Sequence, residues 1–443
     1  MWGWSILTNI IKVLSYLQSA KRRLYWKKEK LEEYQIEKLR RVVKYADQNV
    51  PFYHKLYREN GVDISKIQKI DDLVKLPIIK KDVFKKQDVK EILSSEYNPS
   101  RLKRVRTSGS SGTPFQVYIT PSEDAWRKAI YMRANISCGQ KMRDRWVVLT
   151  APHHFHDTTG IQRKLGIFSQ TCVSLWDPSD KKIQEISAIN PDILDGYSGS
   201  LVLLAKAMAH KGLSVIKPRL MFGNAEAIDL LSRRYIENVF GAPYCDQYGS
   251  AEVDRASWQC LERQDYHMDV DSVITEFVDK NGDRVAAGEQ GEVVFTSLFN
   301  YAMPLLRYAI GDLGSPSDDV CSCGRTLPLM KMVEGRKDSV LTLPGGRTVS
   351  PMIFNFVMSS FKYYAEVEQF HIKQRKVDLF EVSLKMVDGW KAESEVIQEF
   401  ENHIRKFDDF ANDVRFDVVV VDEIARSPTG KLLSVSSDLT DKS

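Results

Sequence analysis

The chain has 443 residues, of which 43% are hydrophobic and 28% are charged, with a formal net charge of +4. This composition is that of an ordinary globular protein and excludes a collagen-like, low-complexity or largely disordered chain. The near-neutral charge argues against a dedicated nucleic-acid-binding protein. Six cysteines are too few for a disulfide scaffold, so a reducing compartment, the cytoplasm, is expected.

Positive charge is concentrated near the start of the sequence. Residues 1–48 hold eleven Lys and Arg against five Asp and Glu. The apolar residues that precede the basic cluster follow a helical spacing: Ile6, Ile10, Val13, Leu14 and Leu17. The segment is too short and too interrupted to span a bilayer, and it lacks the flanks of a signal peptide. Two interpretations remain open: a helix that packs on its own domain or on a second copy, or a peripheral membrane helix with Trp2 and Trp4 inserted.

The next elements alternate between helix and strand. Residues 28–60 are expected to be helical with a break at 49–53, because a residue before proline disfavours helix. Residues 145–315 mix short β-branched runs with longer helical stretches, which favours an α/β sheet core. Within it, two strand-like runs flank Asn281-Gly282, a strong signal for a β-hairpin.

A change of character near residue 335 predicts a domain boundary. Residues 335–351 are rich in glycine and turn-forming residues, and about 90 residues of mixed strands and helices follow. We therefore expect an α/β protein with a large N-terminal domain of several subdomains (1–335) and a small α+β C-terminal domain (336–443).

A glycine- and serine-rich loop, TSGSSGT, occupies residues 107–113 between two extended segments. It lacks the lysine of a Walker P-loop. Its small residues would nevertheless let backbone N–H groups approach an anion, and its hydroxyl groups can donate to phosphate oxygens. A flexible surface turn is the alternative interpretation of this loop alone.

Further motifs follow this loop in order. They are Gly223-Asn224-Ala225-Glu226, Tyr248-Gly249-Ser250-Ala251-Glu252, Arg307-Tyr308 with Gly311-Asp312, Gly335-Arg336-Lys337-Asp338, residues 346–351 and Ser427-Pro428-Thr429-Gly430-Lys431. The ordered set resembles the adenylate-forming superfamily of acyl-CoA synthetases, adenylation domains and luciferases. The resemblance is strongest to the phenylacetate–CoA ligase-like branch, which includes relatives in capsule and exopolysaccharide biosynthesis. Cues for that branch are NVPFYHKLY at 49–57, SGSSGTPF at 108–115 and CSCGRT at 321–326.

This resemblance, which spans roughly residues 35–435, implies a two-step reaction. A small carboxylic acid reacts with ATP to give an acyl-adenylate and pyrophosphate, and the acyl group then passes to a nucleophile, in the first instance the CoA thiol. The chain would therefore be an AMP-forming acid–thiol ligase that uses ATP, Mg²⁺ and CoA. A C-terminal domain that rotates between the two half-reactions is also implied.

The resemblance further implies roles for individual residues. The phosphate-binding loop would consist of Thr107, Ser108, Gly109, Ser110, Ser111, Gly112 and Thr113. Tyr248 would face the adenine, and Gly249 and Ser250 would also belong to the nucleotide site. Another wall of that site would be formed by Gly223, Asn224, Ala225 and Glu226. Asp312 would accept hydrogen bonds from the ribose hydroxyls, and Asp338 would be the hinge between the domains.

Three residues would act on the reacting groups. Glu252 would hold Mg²⁺ through a carboxylate oxygen, and Arg336 would lie near the ribose and phosphates. Lys431 would reach the α-phosphate and the carboxylate oxygens during adenylation and then withdraw. Taken singly, Asp312 can also be an ordinary turn residue, and Lys431 a solvated surface charge.

One position departs from the family pattern. Ala251 stands where the family usually has Thr or Ser, so a hydroxyl group that would contact the α-phosphate or metal is missing. This departure motivates a second hypothesis, a non-catalytic adenylate-binding module. A third hypothesis keeps the first half-reaction but transfers the acyl group to an amine or hydroxyl group in polysaccharide biosynthesis.

The cysteines suggest a second metal. Cys260, His267, Cys321 and Cys323 would supply three thiolates and one imidazole, a donor set typical of closed structural zinc sites. Free thiols and an ordinary polar histidine are the alternative. The remaining cysteines, Cys138, Cys172 and Cys245, lie in apolar or strand contexts that are typical of core residues.

Two further patterns are weaker indications of function. The histidines of APHHFHD (151–157) fit no common metal spacing, although a substrate-facing role for His154 or Phe155 is conceivable. Gly196-Tyr197-Ser198-Gly199-Ser200 nearly matches the nucleophile motif of serine hydrolases, but its last residue is Ser and no convincing His and Asp partners follow. The sequence does not identify the carboxylic acid.

Overall fold

A computed structural model describes residues 2–106, 115–155, 158, 160–262, 265–336, 341–349, 351–407, 413–427, 431–432 and 434–439. The helices are α1 (Trp2–Arg23), α2 (Lys28–Asn49), α3 (Pro51–Glu59), α4 (Lys81–Lys85), α5 (Val89–Ile92), α6 (Pro121–Ser137), α7 (Gly160–Leu165), α8 (Ser179–Ile189), α9 (Ser198–His210), α10 (Leu230–Phe240), α11 (Met352–Ser359) and α12 (Glu393–Phe407). In this described part of the chain, no helix is both long enough and apolar enough to cross a membrane.

The strands begin with β1 (Ile79–Lys80), β2 (Lys103–Arg106), β3 (Gln116–Ile119), β4 (Trp146–Thr150), β5 (Gln170–Ser174), β6 (Ile193–Tyr197), β7 (Leu220–Asn224), β8 (Tyr244–Ser250), β9 (Asp254–Gln259) and β10 (Tyr266–Met268). They continue with β11 (Val273–Val278), β12 (Gly291–Ser297), β13 (Tyr308–Ser317), β14 (Leu329–Arg336), β15 (Leu341–Thr342), β16 (Thr348–Val349), β17 (Val367–Lys376), β18 (Leu379–Met386), β19 (Arg415–Val420) and β20 (Val435–Ser437). The chain divides into two compact units: unit 1 is Met1–Gly139 with Gln247–Val333, and unit 2 is Gln140–Asp246 with Glu334–Ser443.

Unit 1 is built on strands in the order β11, β12, β13, β14, β10 and β9, followed by residues 247–250 of β8. The β11–β12 hairpin pairs Val273 with Ser297 and confirms the hairpin predicted around Asn281-Gly282. Gly282 has φ +86°, a left-handed conformation that glycine adopts without steric cost. The antiparallel pair β2–β3 flanks the glycine- and serine-rich loop, as its extended neighbours predict.

Helix α1 packs on its own unit. Tyr16 of α1 makes an edge-to-face contact with Trp126 of α6 at 5.3 Å between ring centroids, and Ala20 is fully buried beside it. Farther along, the backbone carbonyl of Leu24 accepts from the backbone N–H of Thr326 at 2.8 Å. The helix is therefore an integral part of the unit 1 core, in agreement with the first interpretation of the N-terminal segment.

A buried charge network joins α1 to the strands of unit 1. Arg133 is completely buried and donates to Asp269 at 2.5 Å and to Asp271 at 2.7 Å. Arg23 reaches Asp271 at 2.6 Å, and Arg255 reaches Asp269 at 3.3 Å. Because each carboxylate has two guanidinium partners, the burial of the charges is compensated within the network.

Unit 2 begins with a parallel sheet in the order β5, β4, β6 and β7, with residues 244–246 of β8 beside β7. Helices α8, α9 and α10 follow their strands as crossover connections and supply the cover that a parallel sheet needs. The sheet and helices share one apolar core around Leu149, Leu194, Leu204 and Phe240. The carboxyl ends of such strands form the edge at which open α/β sheets bind ligands.

Four strands in the order β19, β18, β17 and β20 form the C-terminal part of unit 2. Helices α11 and α12 pack on them through a separate core that includes Phe354, Phe380, Phe400 and Phe416. The predicted fold class is confirmed: the protein is α/β, with a large N-terminal sheet region and a smaller α+β C-terminal part. The domain boundary at residue 335 stays a prediction.

Candidate active site

Glu252 lies in unit 1, where two side chains bind its carboxylate. Its side chain is buried, and its Oε1 atom accepts from Lys81 Nζ at 3.0 Å and from Tyr308 Oη at 3.3 Å. Burial, with Glu252 beside it, raises the pKa of Tyr308, so this phenol remains a donor. The carboxylate is thus held in one orientation by a cation and a hydroxyl group.

The backbone around Glu252 is fixed from α6. Arg127 donates to the carbonyl of Ala251 at 3.2 Å and to that of Glu252 at 2.6 Å. The Ser250 hydroxyl accepts from the backbone N–H of Val253 at 3.4 Å, so it caps this turn. The Ser250 hydroxyl is thus engaged within the turn that also contains Ala251.

Tyr248 and Asp312 lie together, although 64 residues separate them in sequence. Tyr248 Oη donates to Asp312 Oδ2 at 2.9 Å, and both residues are half-buried. The Tyr248 ring also packs against Phe295 with 6.2 Å between centroids. The pair combines an aromatic face with a carboxylate at a partly open surface.

Gly249 is required by a close approach of two strands. A Cβ atom at this position would collide with the carbonyl oxygen of Asp254 and would lie 2.7 Å from Arg255 Cα. Asp254 has φ +66°, which marks a tight turn between β8 and β9. Gly249 therefore allows the tight turn that contains Ser250, Ala251 and Glu252 to begin directly after Tyr248.

In unit 2, the Gly223–Glu226 motif ends β7 at the carboxyl edge of the parallel sheet. A Cβ atom at Gly223 would collide with the hydroxyl group of Tyr244, so only glycine fits beside this ring. Asn224 Nδ2 donates to the buried Asp195 at 2.9 Å, and Ala225 has φ +65°. These features turn the chain sharply at the end of β7.

Glu226 emerges from that turn and makes two contacts with the backbone. Its Oε2 atom accepts from the N–H of Gly199 at 2.8 Å, and its Oε1 atom accepts from the N–H of Leu432 at 2.8 Å. Burial raises the pKa of Glu226, whereas these N–H donors and nearby Lys431 act in the opposite direction. The N–H of Lys431 donates to Ser427 Oγ at 3.0 Å.

Some of the predicted site residues lie outside the described part of the chain. Thr107 to Thr113 and Asp338 lie outside the described residues, and for Arg336 only the backbone, at the end of β14, is described. The structure brings together Tyr248, Asp312 and Glu252 with their neighbours in unit 1. It separately brings together Glu226 and Lys431 in unit 2.

The four predicted zinc ligands form one cluster in unit 1. The candidate ligand atoms of Cys260, His267, Cys321 and Cys323 all lie within 4.8 Å of one another. Cys260 Sγ is 3.5 Å from Cys321 Sγ, and Cys323 Sγ is 3.4 Å from His267 Nε2. Two thiolates on one tetrahedral zinc, each at about 2.3 Å, would be about 3.8 Å apart. The donor set and its spacing therefore fit a closed zinc site.

The other predictions from the sequence have simple structural outcomes. Cys138 and Cys245 are buried thiols and Cys172 is a half-buried one. Ser198 is buried, and its hydroxyl group lies 2.8 Å from Tyr244 Oη, so it presents no exposed nucleophile. Phe155 is largely exposed.

Sequence reasoning missed two cations that hold Glu252. Lys81 follows β1, which pairs with β13 and so lies beside Tyr308, and Arg127 lies inside α6. Neither stands in a motif, because the contacts arise from pairing over 171 and 125 residues of sequence. A run of lysines at 80–81 was the only local signal for Lys81.

Comparison with known proteins finds relatives of similar sequence. The phenylacetate-coenzyme A ligase of Thermus thermophilus is 28% identical over 328 residues, which is 72% of this chain and 73% of that protein. The enzyme of the same name from Escherichia coli is 25% identical over 81% of this chain and 84% of that protein. Protein CapK of Staphylococcus aureus is 25% identical, over 63% of this chain and 62% of that protein.

The relatives that this chain resembles support the adenylate-forming superfamily, in its phenylacetate–CoA ligase-like branch. The chain is accordingly an AMP-forming acid–thiol ligase-like enzyme. No protein-family model matches the sequence.

Solved structures show the same fold. The structure of 2-hydroxyisobutyryl-CoA ligase in the postadenylation state, in complex with 2-HIB-AMP, matches with a TM-score of 0.76 and 20% identity. The match covers 94% of this chain and 91% of that one. The anthranilate CoA ligase AuaEII, in complex with anthranoyl-AMP, matches with a TM-score of 0.57 and 17% identity, over 77% of this chain and 67% of that one.

Proposed function

We propose that the enzyme activates a small carboxylic acid with ATP, releases pyrophosphate and transfers the acyl group from the adenylate to CoA. The observation that carries this proposal is the hydrogen bond from Tyr248 to Asp312 at 2.9 Å. It joins an aromatic face, suited to a base, to a carboxylate, suited to ribose hydroxyls. Two motifs that the family resemblance assigns to one adenosine site are thus adjacent.

The roles of the remaining residues are part of the same proposal. The nucleotide would be bound by the 107–113 loop, by residues 223–226 and 248–250, and by Asp312, with Arg336 near its phosphates. Lys431 would stabilise the negative charge that develops as the carboxylate attacks the α-phosphate. Such electrostatic stabilisation of the transition state is usually the largest single contribution to catalysis. Asp338 would be the hinge.

Glu252 is suited to be a ligand of Mg²⁺. Mg²⁺ prefers carboxylate oxygens, and the bonds from Lys81 and Tyr308 both reach Oε1. The Lys81 ammonium, 3.0 Å from Oε1, is an opposite charge beside this buried side chain. Bound there, the ion would neutralise phosphate charge, while Lys81 and Tyr308 orient the carboxylate.

Pyrophosphate exchange across aryl, amino and fatty acids tests the first half-reaction. At least one acid should support ATP-dependent exchange in the wild type. Lys431→Ala should lower that exchange by about 10²–10³-fold, the cost of removing one group that stabilises developing charge. Lys211→Ala, which removes an exposed lysine paired with Asp180, is the matched control and should change nothing. Tight ATP binding without exchange for any acid would instead favour an adenylate-binding module.

Product analysis separates CoA from other acceptors. With CoA present, the proposal expects an acyl-CoA thioester and AMP. The alternative, an amine or hydroxyl acceptor in polysaccharide biosynthesis, rests on the branch resemblance alone. It would be favoured if the acyl-adenylate accumulated unchanged in the presence of CoA and disappeared only with an amine or sugar acceptor.

We also propose that Cys260, His267, Cys321 and Cys323 bind a structural zinc ion in a cytoplasmic, reducing environment. The ion would join the end of β9, strand β10 and the loop before β14. Purified protein should contain about one zinc per chain, since all four ligand positions are filled. Cys321→Ser should lose the zinc, whereas Cys172→Ser, which changes a half-buried cysteine in unit 2, should retain it. Zinc retained by Cys321→Ser would contradict the site.

Contact of residues 1–48 with an anionic membrane or a second copy stays a proposal. On α1, Ile11 and Leu14 are 58% and 54% exposed, and the helix contains basic but no acidic residues. Such a face attracts anionic lipid. Sedimentation with anionic and with neutral vesicles, together with a solution mass measurement, separates membrane contact, dimerisation and neither.

A further inference from the structure

The segment that carries Lys431 is attached to unit 2 by a carboxylate rather than by an apolar surface. Glu226 lies between two backbone donors: the N–H of Gly199, in the first turn of α9, and the N–H of Leu432, the residue next to Lys431. Both bonds are 2.8 Å long and use different oxygens of the same carboxylate. Rotation of the carboxylate would therefore break both bonds together.

Neighbouring contacts hold the same segment on α9. Arg426 Nη1 donates to Ser200 Oγ at 3.2 Å, and the backbone of Ser427 donates to the carbonyl of Lys431 at 2.9 Å. Together with the bond from the Lys431 N–H to Ser427 Oγ, this bond joins Ser427 to Lys431 in both directions. Glu226 thus binds the residue that directly follows Lys431.

Gly199 is adapted to this arrangement. A Cβ atom at Gly199 would lie 2.7 Å from Glu226 Oε2 and 3.0 Å from Leu432 Cδ1. A side chain there would push the carboxylate away from Leu432, although alanine is otherwise better than glycine inside a helix. The near match to a hydrolase nucleophile motif at 196–200 therefore has a different explanation: its glycine makes room for Glu226.

We propose that Glu226 is a positioning residue that presents Lys431 for adenylation by bridging the N–H groups of Gly199 and Leu432. This inference rests on the proposed role of Lys431 and deepens it, because Glu226 would act through Lys431 and not as one more wall of the nucleotide site. Its carboxylate form is suited to the task, since an ionised acceptor binds N–H donors about twice as strongly as a neutral one.

A double-mutant cycle tests the proposal by pyrophosphate exchange. Glu226→Ala should lower exchange by about 10- to 100-fold, the cost of two bonds to a charged acceptor. In the Lys431→Ala background the same change should cost less than about twofold, because residues that act as a unit are not additive. Glu226→Gln should be intermediate, since its amide retains one acceptor oxygen. Equal losses in both backgrounds would overturn the proposal.

Gly199→Ala provides a second variant that keeps every charge. It should lower exchange without lowering the melting temperature, since it adds a good helix former while displacing Glu226. The matched control is Gly160→Ala, at the first position of α7, where a Cβ atom has open space around it. That control should leave exchange unchanged. Full exchange in Gly199→Ala would contradict the assigned role.

A labelling experiment keeps this inference separate from the proposed function. The rate at which a small amine-reactive reagent modifies Lys431, followed by mass spectrometry, does not depend on turnover. The rate of Lys431 modification should be higher in Glu226→Ala and Gly199→Ala than in the wild type and Gly160→Ala. The rate of Lys211 modification in the same sample is the internal reference. If the wild type showed no exchange, the proposed function would fail while this measurement still decided the inference. Equal labelling in all four proteins would overturn it.

Discussion

The two units bury charge in contrasting ways. In unit 1, Arg133 has bonds to Asp269 and Asp271 within a closed network of three guanidinium groups and two carboxylates. In unit 2, the ammonium group of Lys206, on α9, donates to the carbonyl of Val367 at 2.7 Å and lies 3.7 Å from the centre of the Tyr364 ring. The first arrangement is compensated charge for charge, whereas the second relies on a peptide dipole and an aromatic face.

The two arrangements have opposite effects on whether a buried group stays charged at neutral pH. Burial alone would raise the pKa of Asp271, but Arg133 and Arg23 hold it below its ordinary value. Burial lowers the pKa of Lys206 to about 7, against the attraction of Asp229, Glu366 and Glu368. Asp271 therefore keeps its charge at neutral pH, whereas Lys206 changes protonation near neutrality.

Breaking the closed network should have the largest effect. Arg133→Met leaves Asp269 and Asp271 buried with fewer partners, which typically costs about 3–5 kcal/mol of unfolding free energy. Urea unfolding followed by circular dichroism measures this loss. Arg145→Met, which removes a largely exposed bond to Asp192, is the matched control and should cost at most about 1 kcal/mol. Similar losses in the two variants would remove the distinction between closed and exposed pairs.

The second prediction concerns the pH dependence of stability. Between pH 7 and the ordinary lysine value of 10.5, the unfolded chain holds a proton on Lys206 that the folded protein has released. Stability should therefore rise with pH in this window, by at most about 1.4 kcal/mol per pH unit for one proton. Lys206→Met should flatten this rise.

Unfolding midpoints from pH 6 to pH 9 measure that slope. Lys182 titrates in the same direction, because burial lowers its pKa to about 8, so part of the rise should remain in Lys206→Met. The exposed Lys211→Met serves as the control and should follow the wild type. An unchanged slope in Lys206→Met would show that the unit 2 lysine keeps its charge after all.

The smallest effect is expected from removing one hydroxyl group near Lys206. Tyr364→Phe keeps the ring under Lys206 but loses the hydrogen bond to Ser232 Oγ, 2.7 Å away. The cost should be that of one such bond, about 0.5–1.5 kcal/mol. Tyr364→Leu also removes the ring and should cost more. Equal costs for the two variants would mean that the aromatic face contributes nothing to holding Lys206.

Much of the fold could be predicted from the sequence because its signals are local. The alternating strands and helices of residues 145–240, the break before Pro51 and the turn at Asn281-Gly282 depend on neighbours a few residues apart. The Cys–His cluster was also predictable, since few residue types bind zinc. The order of the motifs led to the prediction of Tyr248, Asp312 and Glu252 as residues of the nucleotide site.

The contacts that hold these residues were not predictable, because they join distant parts of the chain. Lys81 and Arg127 reach Glu252 only once β1 and α6 are in place. Glu226 was expected to line the nucleotide site on the strength of its motif, and nothing local indicates its bond to Leu432, 206 residues away. Lys206 likewise looks like a solvated helix residue until β17 covers it.

The packing of α1 has a consequence for synthesis of the chain. Arg23 binds Asp271, which follows it by 248 residues, and Thr326 binds Leu24 across 302 residues. At about 5–20 residues per second on the ribosome, a delay of roughly 12–50 s separates α1 from Asp271. During that interval Arg23 lacks Asp271 as a partner, although α6, which contacts α1, is synthesised earlier. The charge network around Asp271 can therefore close only after most of unit 1 has been synthesised, which makes its assembly a late step of folding during synthesis.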